Sequence, residues 1–154
     1  MTESDDKTVL LRAELSQEDW PNLEAELTSA REVRPSCFVL LESPFYAYGL
    51  SRGDTVLTTL RNGELSIEKV VDRSGHSTYR VLRTESAQEG DFNKFLCRLR
   101  DLGCVVTLRQ KRLFSVDVPR KTDADEVYVL LEAGEKSAAW SFEEGHCGHP
   151  LKTD

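Results

Sequence analysis

Between residues 78 and 145 the chain runs strand, helix, strand, strand, helix, strand, and this order constrains the fold more than any other feature. Phe92, Phe95, Leu96, Leu99 and Leu102 recur at helical spacing and make one apolar stripe. Val127, Leu130, Leu131 and Gly134 make a second. Glu89-Gly90-Asp91 reads as the start of the first helix, and Gly103 stands where a C-cap glycine belongs. Thr122 with Asp125 has the spacing of a capping box ahead of the second helix. Around the helices lie four strand segments, 78–84, 104–108, 113–118 and 138–143. In the third of these, Leu113, Ser115 and Asp117 alternate with Phe114, Val116 and Val118. Two helices of this length cover one face of a four-stranded antiparallel sheet, so the expected arrangement is a ferredoxin-like βαββαβ half.

The first half reads as β structure. Residues 7–15, 37–41, 55–60 and 64–72 are strand segments. Asn62-Gly63 is the strongest hairpin signal in the chain, because both residues tolerate the positive φ of a primed turn. Gly53-Asp54 is a second tight turn, with glycine supplying the positive φ and Asp bonding to local backbone. Residues 16–30 are acidic and contain Pro21; Leu23 and Leu27, four apart, suggest a helical turn there. The expected fold is α+β: a small antiparallel barrel-like sheet over residues 7–77, then the ferredoxin-like half over 78–146. Residues 1–6 and 147–154 are expected to be flexible ends.

A chain of 154 residues supports one sizeable core or two small ones. Its net charge of −7 argues against nucleic acid or an anionic membrane as the main partner. Nothing approaches the ~20 consecutive apolar residues of a membrane span. The acidic, polar first six residues lack the basic start and apolar run of a secretory signal, so the expected location is the cytoplasm. Cys37, Cys97, Cys104 and Cys147 form no CxxC pair and read as reduced thiols. Charge is segregated: residues 1–30 carry eight acidic side chains against Lys7 and Arg12, whereas residues 90–121 carry eight basic ones against Asp91, Asp101 and Asp117. Residues 122–154 are acidic again.

The most unusual stretch is 43–54, where Phe45, Tyr46 and Tyr48 crowd together between Pro44 and Gly49. Such a segment either plugs one end of the barrel as an ordered loop or presents aromatic rings to a ligand or partner. Asp54 ends it. His76, in Ser74-Gly75-His76-Ser77-Thr78, either acts as a general base or caps a turn. Residues 145–149 hold His146, Cys147 and His149, too close together to close a tetrahedral metal site without help from elsewhere, so no metal is expected. Arg109-Gln110-Lys111-Arg112 reads as a solvated hairpin tip, and the sheet lacks the paired aromatic motif of an RNA-recognition domain. No phosphate-binding glycine loop and no HExxH motif occur, and no cofactor or catalytic set is implied.

Taken together, residues 44–49, 51–54 and 74–78 resemble the signature of domain-of-unknown-function family 4265, and the closing Trp140-Ser141-Phe142-Glu143-Glu144-Gly145 is similar to that family's end. Tyr46 stands where the pattern leads one to expect a second Phe. The resemblance implies a small bacterial cytosolic protein and transfers no activity and no catalytic residue. Small size, acidic ends and the lack of a catalytic set point to a binding protein, of the kind that neutralises a basic toxin by protein–protein contact. The rival reading is a small-molecule sensor or enzyme with a pocket between the two halves, near Tyr46, Tyr48 and His76. The binding residues expected on either reading are Phe45, Tyr46, Tyr48, Asp54 and His76.

Overall fold

The computed structural model describes residues 7–110 and 112–150; the expected flexible N-terminus and the last four residues of the expected tail lie outside them. The expected α+β class holds. Strands β1 (Thr8–Glu14), β2 (Ala25–Arg34), β3 (Cys37–Leu40), β4 (Thr55–Arg61) and β5 (Glu64–Asp72) close into a barrel in chain order. Neighbours are antiparallel except at the closure, where β1 and β5 meet in parallel at Arg12 and Ser66. The β4–β5 hairpin turns on Asn62 and Gly63, with φ of 50° and 81°, the two positive values that a primed turn needs. One expectation fails in this half. The region read as a helical turn enters β2, because Glu26, Thr28 and Ala30 alternate inward and its neighbours β1 and β3 pair with it along most of its length.

Strands β6 (Ser77–Arg83), β7 (Val105–Leu108), β8 (Leu113–Val118) and β9 (Trp140–His146) form a second sheet in the order β7-β8-β6-β9, antiparallel throughout. Helix α1 (Glu89–Asp101) follows β6, and α2 (Ala124–Lys136) follows β8. Phe92, Leu96 and Leu99 of α1 and Val127 and Leu131 of α2 pack on Tyr79, Val81, Phe114, Val116, Val118 and Trp140. This is the core that both apolar stripes foretell. The caps fall differently from the sequence reading. Gln88 is the N-cap of α1 and makes no side-chain cap bond, leaving Glu89 and Asp91 in the first turn. Asp123, not Thr122, caps α2, its Oδ1 accepting from the N–H groups of Asp125 at 2.9 Å and Glu126 at 3.3 Å. A carboxylate there also answers the positive end of the helix dipole.

The other face of this sheet decides the architecture. Thr78, Arg80, Ser115 and Asp117 point away from the helices, yet all are buried. They are covered by the barrel half, whose own core gathers Leu11, Ala13, Ala30, Phe38, Leu40 and Val56. Direct bonds stitch the halves, two of them near the start of β6. Ser51 Oγ meets Thr78 Oγ1 at 2.8 Å, and Gly49 N–H donates to Gly145 O at 2.9 Å. The second bond depends on a β-bulge: Thr78 pairs with His146 and Tyr79 with Glu144, so Gly145 is the extra residue and its carbonyl is released from the ladder. Within the stretch read from sequence as the start of a flexible tail, Gly148 and His149 bond to β6. Ser77 Oγ accepts from the N–H groups of Gly148 at 2.9 Å and His149 at 3.3 Å.

Candidate functional site

The aromatic segment sits in the seam between the halves. Phe45, Ala47 and Leu50 are buried, and Ala47 and Leu50 join the barrel core, as the plug reading requires. The segment has no regular structure, so its backbone polar groups need outside partners. Two buried charges supply them. From β2, Glu26 accepts three consecutive N–H groups: Phe45 at 2.6 Å on Oε2, Tyr46 at 2.9 Å and Ala47 at 2.9 Å on Oε1. From β6, the Arg80 guanidinium donates to the carbonyls of Ala47 at 2.8 Å and Tyr46 at 3.1 Å, and reaches Pro44 O at 3.5 Å. A carboxylate and a guanidinium thus grip one loop through its amides and its carbonyls. Charge-assisted bonds of this kind are about twice as strong as neutral ones. The loop is therefore fixed before any ligand arrives.

Arg80 is itself held. Its Nε donates to Glu143 Oε2 at 3.1 Å, and its guanidinium carbon lies 4.7 Å from the centre of the Tyr48 ring. Tyr48 Oη donates to the other oxygen of Glu143 at 2.7 Å. Burial, and then Glu143, push the Tyr48 hydroxyl above its ordinary pKa, so it stays a donor. Trp20 Nε1–H donates to Tyr46 O at 2.9 Å, and Gln110 Nε2 donates to Tyr46 Oη at 3.2 Å.

Beside the clamped loop lies a cavity of about 420 Å³, within the range of small-molecule sites. Trp20, Phe45 and Tyr46 line it from the barrel half, and Arg80, Leu82 and Phe142 from the sheet half. The rival reading expects a pocket near Tyr46, Tyr48 and His76; Tyr46 lines this cavity and Tyr48 does not. His76 is not among its walls.

The five expected residues divide into two groups. Phe45, Tyr46 and Tyr48 gather around Arg80. Asp54 and His76 bracket the turn at the other end of the seam. Asp54 accepts from Ser51 N–H at 2.9 Å, Ser74 N–H at 2.8 Å and Arg73 Nη1 at 3.1 Å. His76 N–H donates to Ser74 Oγ at 3.1 Å, while its Nδ1 meets Asp117 Oδ1 at 2.7 Å. Arg52 Nη1 lies 3.6 Å from the second Asp117 oxygen. In the tract at 145–149, His149 spends both ring nitrogens on Ser77 Oγ at 2.6 Å and Pro119 O at 3.0 Å. Reasoning from sequence missed Glu26, Arg80 and Trp20. The signal for Arg80 was present: a long charged side chain at the centre of a strand, between Tyr79 and Val81, on the face the helices leave open.

The family model described as "Domain of unknown function (DUF4265)" matches residues 26–142, from the clamping Glu26 to Phe142 in the cavity wall. The chain belongs to this family. The fold of this DUF4265 protein is similar to a crystal structure of a hypothetical protein from Neisseria gonorrhoeae, with a TM-score of 0.77 at 17% identity over 94% of this chain and 97% of that one. The chain is also 27% identical over 100 residues to vacuolar protein sorting/targeting protein 10 of Arthroderma benhamiae. That similarity covers 59% of the chain but 7% of that protein's length.

Proposed function

We propose that this protein is a non-catalytic binding domain whose ligand site is the seam cavity. The observation that carries the reading is the clamp: Glu26 and Arg80 fix the loop that supplies Phe45 and Tyr46 to the cavity wall. A fixed loop lowers the ordering penalty of binding. The lining suits a small, mostly apolar ligand. The strand order β7-β8-β6-β9, with both helices on one face, supports reading the second half as ferredoxin-like, here with its open face turned to the barrel. Four unpaired cysteines support a reducing, cytoplasmic location. The toxin-neutralising reading rests on small size, acidic ends and the lack of a catalytic motif in the sequence.

Titration with an anilinonaphthalene fluorophore tests the cavity. Leu82→Trp is the matched variant, because Leu82 is half-exposed on the cavity side and belongs to neither core. The expected result is saturable binding to the wild type that Leu82→Trp abolishes at an unchanged melting temperature. Binding that survives the filling substitution overturns the assignment.

A further inference from the structure

The tip of the β7–β8 hairpin is basic, and it lies against the seam cavity. Gln110 is one of the cavity walls and donates from Nε2 to Tyr46 Oη at 3.2 Å, which ties the tip to the clamped loop. Arg109 precedes it in the chain and stands just outside the wall. Its guanidinium carbon lies over the Phe45 ring, 5.4 Å from the centre, and Phe45 is itself a wall of the cavity. A cation–π contact of this kind leaves guanidinium N–H donors over. Among the described residues, none of them meets an acceptor and Arg109 has no acidic partner. The charges inside the cavity are already balanced: Arg80 and Glu143 both line it and pair at 3.1 Å. Arg109 is therefore the surplus charge at the cavity's edge.

We infer that the ligand of the seam cavity is an aromatic acid, its ring system among the aromatic walls and its anionic head on Arg109. The inference rests on the seam-cavity reading and adds the chemical class of the ligand. Trp20, Phe45, Tyr46 and Phe142 line the cavity, and aromatic rings pack well on one another edge-to-face or offset. An apolar body alone would leave the Arg109 donors to water. A carboxylate accepts two of them in parallel, which orients the head as well as attracting it. A cationic head would meet Arg109 as a like charge. The net charge of −7 repels free anions at long range, so the preference has to come from contact at the hairpin tip. Arg112 separates contact from field. It belongs to the same basic tip, but its Nη1 donates to Arg83 O at 3.2 Å and it is not a cavity wall.

Isothermal titration calorimetry of the full chain with 2-naphthoate and its neutral isostere 2-naphthamide is the test. 2-Naphthoate should bind roughly three- to tenfold tighter, the range of a partly exposed, charge-assisted pair. Arg109→Gln should remove that preference while 2-naphthamide binds as before, at a nearly unchanged melting temperature because Arg109 is exposed. Arg112→Gln should keep the preference, and Leu82→Trp should abolish binding of both ligands. Binding of neither ligand to the wild type removes the cavity reading and this inference with it. Equal binding of the two leaves the cavity standing and overturns the aromatic acid. A preference that survives Arg109→Gln, or that falls equally in Arg112→Gln, overturns it as well.

Discussion

Replacing Glu26 by Gln changes one buried carboxylate oxygen to an amide and leaves the side-chain shape nearly intact. In the folded protein Oε1 accepts two N–H groups and Oε2 accepts one. A Gln best keeps its oxygen on Tyr46 and Ala47 and turns its NH₂ toward the Phe45 N–H, donor against donor. One hydrogen bond to a charged group is then lost, about 1.5–3 kcal/mol. The other two fall from charge-assisted to neutral, about 0.5–1 kcal/mol each. Burying a neutral amide in place of a carboxylate returns part of this, leaving a net loss of about 2–3 kcal/mol. With a urea slope of about 2 kcal/mol per molar, the unfolding midpoint should fall by roughly 1–1.5 M. Equilibrium urea unfolding followed by tryptophan fluorescence measures it. A midpoint within about 0.25 M of the wild type would refute the reasoning, because a carboxylate bonded to three amides cannot be that replaceable.

Gly145→Ala places a Cβ 2.5 Å from Arg80 Nη1, so the guanidinium must move; a loss of about 1–3 kcal/mol is expected in the same urea assay. Burial, with Arg73 adding to it, holds the His146 imidazole below its ordinary pKa. The folded state then prefers the neutral ring, so stability from this group is present above about pH 6.5 and lost as pH falls. His146→Gln should accordingly show a smaller fall in urea midpoint between pH 7.5 and pH 5 than the wild type. Burial, and then Asp117, push the Cys104 thiol up to about 12. Iodoacetamide at pH 8 followed by peptide mass spectrometry should label exposed Cys97 first and leave Cys104 unlabelled until denaturant is added.

The second half was legible because its helices declare themselves locally. Both apolar stripes became the packed face, β8 was read with its observed bounds, and Gly103 takes a φ of 107° just after α1. Capping was misplaced because several acceptors stand together: Thr122 and Asp123 are adjacent, and only the backbone path decides which one meets the free N–H groups. Strand β2 was misread for a different reason. Its inward residues include Glu26 and Thr28, so polar groups break the apolar alternation that marks a strand, and Glu26 serves the loop. The site was half visible. Phe45, Tyr46 and Tyr48 stood out by crowding, but their partners Trp20, Glu26 and Arg80 lie 19 to 34 residues away along the chain. No local pattern links such positions. What sequence does carry is a polar face, Thr78, Arg80, Ser115 and Asp117, on a sheet whose other face is apolar; its burial is intelligible only once the barrel is in place.

Glu26 and Arg80 together clamp the aromatic loop into one conformation. Amide hydrogen exchange of Phe45, Tyr46 and Ala47, resolved by NMR, tests it most directly. These loop amides should exchange at least about a thousandfold slower than an open loop, comparably to the barrel strands, and Glu26→Gln should remove most of that protection. Exchange of the three amides at open-loop rates in the wild-type protein would contradict it.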